Sequence, residues 1–99
     1  MTRAGGEVES FEALLRRPDL LIERIVSHGH TTPRDQPYVQ PHDEWVMIVS
    51  GAARVLVEGE EERRLAPGDH MMVPGGMKHW VTWTAEDQPT VWLAVHLPG

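Results

Sequence analysis

The chain has 99 residues, which is enough for one domain with one core and too short for two. Apolar residues make up 40% and charged residues 24%, a balance typical of folded globular proteins and unlike that of disordered chains. The formal net charge of −6 argues against partners such as nucleic acid or anionic membrane, and the absence of cysteine excludes disulfides and thiolate metal sites.

The N-terminal segment carries no targeting signal that we can identify. MTRAGGEVES lacks the apolar core of a signal peptide, and no apolar run approaches the roughly 18 residues of a spanning helix, so we expect a cytoplasmic protein. We predict a loose leader over residues 1–9, followed by a short helix that Ser10 caps and that closes at Pro18. The apolar face of that helix would consist of Phe11, Leu14 and Leu15. We therefore assign residues 1–19 to a leader with one short helix and residues 20–99 to the main domain.

From residue 20 onward the sequence predicts short strands. In LLIERIVSH, Ile22, Val26 and His28 share one face and Ile25 lies on the other. The segment TTPRDQPYVQP contains three prolines and predicts an irregular loop. Beyond residue 42 the strand-like runs, separated by turn residues, are EWVMIVS, ARVLVE, EERRL, HMMV, KHWVTWT and TVWLAVHL. Six or seven short strands at this spacing predict an all-β sandwich or barrel.

Six histidines are candidates for metal binding or acid–base chemistry, and we expect two of them, His30 and His70, at the surface or in turns. Alternate residues of a strand point to one side, so Glu44 shares a face with His42, and His79 shares one with Val81 and Trp83. His96 likewise shares a face with Trp92 and Ala94. If each of these faces is interior, one cavity would receive Glu44, His79, His96 and either His42 or His28.

The run from Gly68 to His79 matches the second cupin motif, G-x5-P-x-G-x2-H, at every fixed position up to the histidine. Glu44 and Gly51 match the E-x6-G part of the first cupin motif, whereas Tyr38 and Gln40 stand where that motif has its two histidines. The final asparagine of the second motif is replaced by Trp83. Over about residues 20–97 the chain therefore resembles the small single-domain cupins of uncharacterised function that carry a run similar to DEWVMIVSG.

The resemblance implies an antiparallel jelly-roll β-barrel of the RmlC-like kind and a divalent metal ion, such as iron, manganese, zinc, nickel or copper. By position the supported ligands are His79 and Glu44. We propose His42 and His28 as replacements for the missing ligands, with Gln40 and His96 as further substitutes, and His96 also as a candidate general base. A chain of this size has reason to cover an exposed strand edge, and we predict a homodimer that uses the N-terminal helix or the first strand.

Two classes of function follow from this pattern. One is a metal-dependent enzyme of oxygenase, isomerase or decarboxylase type that acts on a small polar organic molecule in the cavity. The alternative is a non-catalytic module that binds a ligand or a metal and retains a partly eroded site, which the incomplete first motif favours.

Overall fold

The computed structural model describes residues 9–98, which form eight β-strands. Two antiparallel sheets result, one with the strand order β1-β2-β8-β3-β6 and one with the order β5-β4-β7. The strands are β1 (Ser10–Arg17), β2 (Leu20–Ser27), β3 (Asp43–Ser50), β4 (Ala53–Val57), β5 (Arg63–Leu65), β6 (His70–Val73), β7 (His79–Thr84) and β8 (Thr90–Leu97). The predicted all-β, antiparallel jelly-roll architecture is therefore confirmed. The described part of the chain contains no helix that could cross a membrane.

The core lies between the two sheets and is formed mainly by one face of β3, β4, β5, β6 and β8. In β3, Val46 and Ile48 are buried, whereas Trp45 and Met47, which alternate with them, stay partly exposed. β8 shows the same alternation. The buried cluster joins both sheets through Val46, Ile48, Ala53, Val55, Val57, Leu65, Met71, Val73, Trp92 and Ala94. Burial of these β-branched and aromatic side chains on one face supplies the main driving force for the fold.

The short helix that we expected after residue 9 is absent, because Ser10–Arg17 is strand β1. It pairs antiparallel with β2 from Ser10 opposite Val26 to Arg17 opposite Leu20, and Pro18 and Asp19 form the turn between them. An isolated helix of this length is marginal in water, whereas a strand at this place takes all its partners from the edge of β2. Non-local hydrogen bonding therefore overrides the weak local preference. The predicted leader lies almost wholly outside the described residues.

A β-bulge changes which side chains of β7 face the core. Val55 of β4 pairs with Val81, but Arg54 pairs with Trp83, so Thr82 is the extra residue. His79 and Val81 consequently face inward, whereas Trp83 faces outward and its ring lies 5.4 Å from the Arg54 guanidinium carbon. The expectation that Trp83 shares the face of His79 was wrong, because simple alternation does not hold across a bulge.

Candidate functional site

A cavity of about 430 Å³ lies between the two sheets. Most of its wall is apolar and comes from several strands, including Ile25, Val46, Val55, Val73, Val81 and Trp92. Phe11 of β1 and Tyr38 of the long loop add aromatic surface. A cavity of this size and lining suits a small organic molecule with an apolar part.

Polar side chains also reach this cavity, and they are all acidic, neutral or imidazole groups. No lysine or arginine is present among its described lining residues. The polar members are Glu9, Glu23, Gln40, Glu44, His79 and His96. Negative charge therefore dominates the cavity, and it favours a bound group that is cationic or neutral over an anion.

Glu44 reaches the cavity because it begins the inward-facing row of β3. Glu44 is only 8% exposed, so its carboxylate is largely removed from water. The Gln40 side-chain amide donates a hydrogen bond to Oε1, and Oε2 lies 3.9 Å from His96 Nε2. A buried carboxylate without a lysine or arginine partner is costly unless a proton, a cation or hydrogen bonds stabilise it.

His79 occupies the first position of β7, directly after the turn that contains Pro74 and Gly76. Its ring is buried, and Nδ1 lies 3.2 Å from the Met77 carbonyl oxygen. If Nδ1–H donates to that carbonyl, the lone pair resides on Nε2, and that nitrogen can then bind a metal ion. The backbone of Tyr38 pairs with His79 in both directions at 2.9 Å, which fixes the long loop against β7.

His96 connects two acidic residues and a second histidine. Its Nε2 lies 2.9 Å from Glu23 Oε1, and its Nδ1 lies 3.1 Å from His42 Nε2. Both contacts are satisfied with neutral rings if His96 Nε2–H donates to Glu23 and Nδ1 accepts from His42. His42 is only partly buried, so the three side chains form a continuous path from the cavity towards the surface.

The structure brings together most of the residues that the sequence singled out. Glu44, His79 and His96 line the same cavity, and His42 contacts this group through His96. His28 does not reach it, because the inward face of β2 carries Glu23, Ile25 and the fully buried Ser27, which leaves His28 exposed on the other side.

The other two histidines, His30 and His70, differ in burial. His70 is exposed, as expected, and its ring lies against Trp45. His30, which we expected at the surface or in a turn, is instead buried in the loop after β2 and accepts the backbone N–H of His28 at Nδ1. This local hydrogen bond gives the ring a structural role in the loop after β2.

Glu23 is the principal cavity residue that sequence reasoning missed. It lies on one face of β2 with Leu21 and Ile25, and a carboxylate in an otherwise apolar row is a signal of a polar partner. The signal was hidden because the opposite face of β2, with Ile22 and Val26, is equally apolar. Hydrophobicity alone therefore did not show which face is interior.

These residues offer some, but not all, of the side-chain ligands that would surround a divalent ion. Within residues 9–98 no three carboxylate, imidazole or thiolate side chains are grouped closely enough to surround one ion. Glu44 and His79 are both buried and line the same cavity, without a lysine or arginine among its described lining residues. Gln40 and His96 lie beside Glu44 and are the nearest groups that could add a third. Imidazole with carboxylate oxygen suits several first-row transition metals.

Two antiparallel sheets around a cavity with buried polar groups define a jelly-roll barrel with an internal binding space. The family model described as "Cupin domain" matches residues 22–96. The chain therefore belongs to the cupin-domain family, as its motifs indicated.

Known proteins with the same fold include a Ralstonia eutropha JMP134 protein provisionally named a mannose-6-phosphate isomerase. It is 47% identical, with a TM-score of 0.90, over 96% of this chain and 89% of that one. A cupin superfamily protein from Desulfitobacterium hafniense DCB-2, at 19% identity and a TM-score of 0.76, covers 95% of this chain and 81% of its own and shows the shared fold alone.

A third similar protein is the dimethylsulfoniopropionate lyase DddQ of Ruegeria pomeroyi. In sequence it is 46% identical over 39 residues, which are 39% of this chain and 19% of the lyase. In structure it is 26% identical with a TM-score of 0.76, over 90% of this chain and 46% of the lyase chain. This chain thus spans less than half the length of that lyase.

Proposed function

We propose that this cupin binds a divalent metal ion at Glu44 and His79 and acts as a metal-dependent enzyme on a small organic molecule in the cavity. The observation that carries the proposal is that a buried carboxylate and a buried imidazole line the same cavity, without a lysine or arginine among the described lining residues. Gln40, His96 and His42 are the neighbouring side chains that could complete or support the site. When bound, such an ion would polarise an oxygen atom of the substrate.

The side chains around this site support chemistry that moves a proton. Glu23 faces the cavity and contacts His96, which contacts the partly exposed His42. A proton can therefore pass between the cavity and solvent along this path, with Glu23 or His96 as the group that exchanges it with the substrate. Among oxygenation, isomerisation and decarboxylation, this arrangement favours the reactions in which a substrate carbon or oxygen gains or loses a proton.

Cavity charge restricts the substrate class. A sugar phosphate, as in the name of the Ralstonia protein, would find no lysine or arginine among the described lining residues to pair with its phosphate. The sulfonium group in the substrate of DddQ is instead a cation, which carboxylates and aromatic rings such as Trp92 can stabilise. We therefore propose a small substrate that is neutral or carries a positive group, without a phosphate.

Metal content tests this proposal directly. Protein purified without chelator and equilibrated with iron, manganese, zinc, nickel or copper is expected to retain about one ion per chain. His79→Ala and Glu44→Gln are each expected to lower metal affinity by at least about tenfold, because each removes a ligand atom. His28→Ala is the matched control, since this histidine is exposed and should leave affinity unchanged. Equal metal retention in His79→Ala and the unsubstituted protein would contradict the proposed site.

A metal-free binding module is the second candidate, and one observation favours it. Glu44 already accepts a hydrogen bond from Gln40, and His96 already contacts Glu23, so these polar groups have partners without an ion. In that case the equilibrated protein would retain no stoichiometric metal, and small cations or neutral polar molecules would raise its thermal midpoint without turnover. The metal measurement therefore separates the two candidates.

A further inference from the structure

The cavity has a second acidic position, away from Glu44. Glu44 lies opposite His96 in the sheet, and His96 lies opposite Leu21 near the start of β2. The Glu9 carboxylate also lines the cavity, but it accepts a hydrogen bond from the hydroxyl of Ser27, the last residue of β2. Leu21 and Ser27 are separated by roughly 20 Å of extended strand. Glu9 and Glu44 therefore belong to different parts of the cavity wall.

The cavity wall that includes Glu9 is rich in aromatic rings. Phe11 is two residues further along β1 and lines the same cavity. Trp92 donates its indole N–H to the Ser27 hydroxyl, which itself donates to Glu9. Tyr38 lines the cavity too, and together with Glu9 it borders a smaller pocket beside the loop after β2. One carboxylate and three aromatic side chains thus contribute to this part of the wall.

We propose that Glu9 and these rings form a subsite for the positive group of the substrate, and that this group is an alkylated onium, either a quaternary ammonium or a sulfonium. A primary ammonium brings three N–H donors that need acceptors, whereas the rest of this wall is largely ring and aliphatic surface. An alkylated onium has no N–H group, and a carboxylate and ring faces together stabilise its charge. This inference rests on the proposed function, because it takes the cavity as the substrate site.

The position of Phe11 gives a charged group access to this subsite. Phe11 lines the cavity and is still 38% exposed, so this part of the wall reaches the protein surface. No lysine or arginine among the described lining residues would repel a cation there. An onium bound beside Glu9 would leave Glu44, His79 and His96 to the reacting part of the substrate.

Three small probes test the charge and the chemistry of the bound group. Choline and the neutral alcohol 3,3-dimethylbutan-1-ol have nearly the same shape and differ in charge, while ethanolamine carries a primary ammonium. In ligand-observed NMR titrations of the full chain, choline is expected to bind at least about tenfold more tightly than either of the others. Equal dissociation constants for choline and the alcohol would overturn the subsite. Ethanolamine binding as tightly as choline would overturn the onium assignment.

Glu9→Gln assigns the charge selectivity to one residue. Glutamine keeps the shape of the side chain and an oxygen that can accept from Ser27, so the fold should persist. The preference for choline over the alcohol is expected to fall below about twofold. Glu12→Gln is the matched control on the same strand, because Glu12 pairs with Arg24 and does not line the cavity. A preference that survives in Glu9→Gln, or that is lost equally in both variants, would contradict the proposal.

Phe11→Leu tests the aromatic part of the subsite and does not depend on how the Glu9 variant folds. Leucine keeps an apolar side chain but removes the ring, so choline binding should weaken at least about threefold while binding of the alcohol changes little. Equal weakening for both probes would show that Phe11 acts by packing alone and would remove its ring from the subsite.

Metal content measured on the same samples separates this inference from the proposed metal site. Glu9 is not among the proposed ligands, so Glu9→Gln should retain as much metal as the unsubstituted chain. Full metal retention without any preference for choline would refute the onium subsite alone. A preference for choline in protein that retains no metal would support the subsite and contradict the metal site at Glu44 and His79.

Discussion

At the scale of single residues, a side chain that does not line the cavity forms hydrogen bonds to residues that do. Ser27 is fully buried; its hydroxyl donates to the Glu9 carboxylate and accepts the Trp92 indole N–H at 3.2 Å. Ser27 therefore orients an aromatic wall residue and an acidic group at the same time. A side chain far from any reacting atom thus contributes to the shape of the binding space.

Ser27→Ala is expected to destabilise the protein by about 1–3 kcal/mol, because the Trp92 indole N–H would remain buried without a partner. Urea unfolding followed by circular dichroism measures this loss. Ser50→Ala is the control, since Ser50 is exposed and its substitution should change stability by less than about 0.5 kcal/mol. Equal stability of the two variants would show that Ser27 has no such role.

At the scale of elements, the strands of the barrel were predictable where turn residues bound a short run of β-forming residues. The runs that became β3, β4, β6, β7 and β8 were assigned within about one residue, because turns with Gly, Pro and Asp bound them. β1 was missed since SFEALLRR fits a helix locally and becomes a strand only through β2. The outward orientation of Trp83 was not predicted, because no local sequence pattern indicates the bulge in β7.

The same limits explain how much of the candidate site was predictable. Glu44, His79 and His96 were found because motif spacing and alternation agree for β3, β7 and β8. Glu23 was not found, and His28 was selected instead, because β2 is apolar on both faces. The apolar residues on the outward face of β2 are therefore the physical reason for that error.

The turn after β3 allows a test of how strictly glycine is required where a strand ends. Gly51 has φ of 86°, and a Cβ there would come within 2.6 Å of the Thr90 backbone. Gly51→Ala should therefore destabilise the protein by more than about 2 kcal/mol, from backbone strain and crowding together.

Gly59→Ala is the matched control for this turn. Gly59 has φ of 83°, but a Cβ there would meet nothing within 4 Å. Only the cost of the backbone conformation remains, about 1 kcal/mol. Chemical denaturation of both variants gives the difference, and equal losses would show that the approach of Thr90 costs nothing.

At the scale of the whole molecule, the core is independent of the first strand. Every residue of β1 is exposed, and the buried cluster contains residues of β3 to β6 and β8 only. The family match likewise begins at residue 22. That the folding unit begins near residue 20 remains a prediction.

Deletion of residues 1–17 should leave a chain that still unfolds cooperatively, with stability reduced by about 1–3 kcal/mol because β2 loses its partner strand. Thermal and urea unfolding measure this change. Deletion of residues 1–8 is the control that isolates the contribution of β1. A truncated chain without a cooperative transition would place β1 within the minimal folding unit.

One irregularity of β1 bears on how copies of this protein associate. The pairing of β1 with β2 shifts between Ala13 and Leu15, and Arg16 and Arg17 follow on the same edge. A kinked, positively charged border is a poor template for the backbone of another chain. Growth by adding strand after strand, which leads to open-ended fibrils, is thereby discouraged.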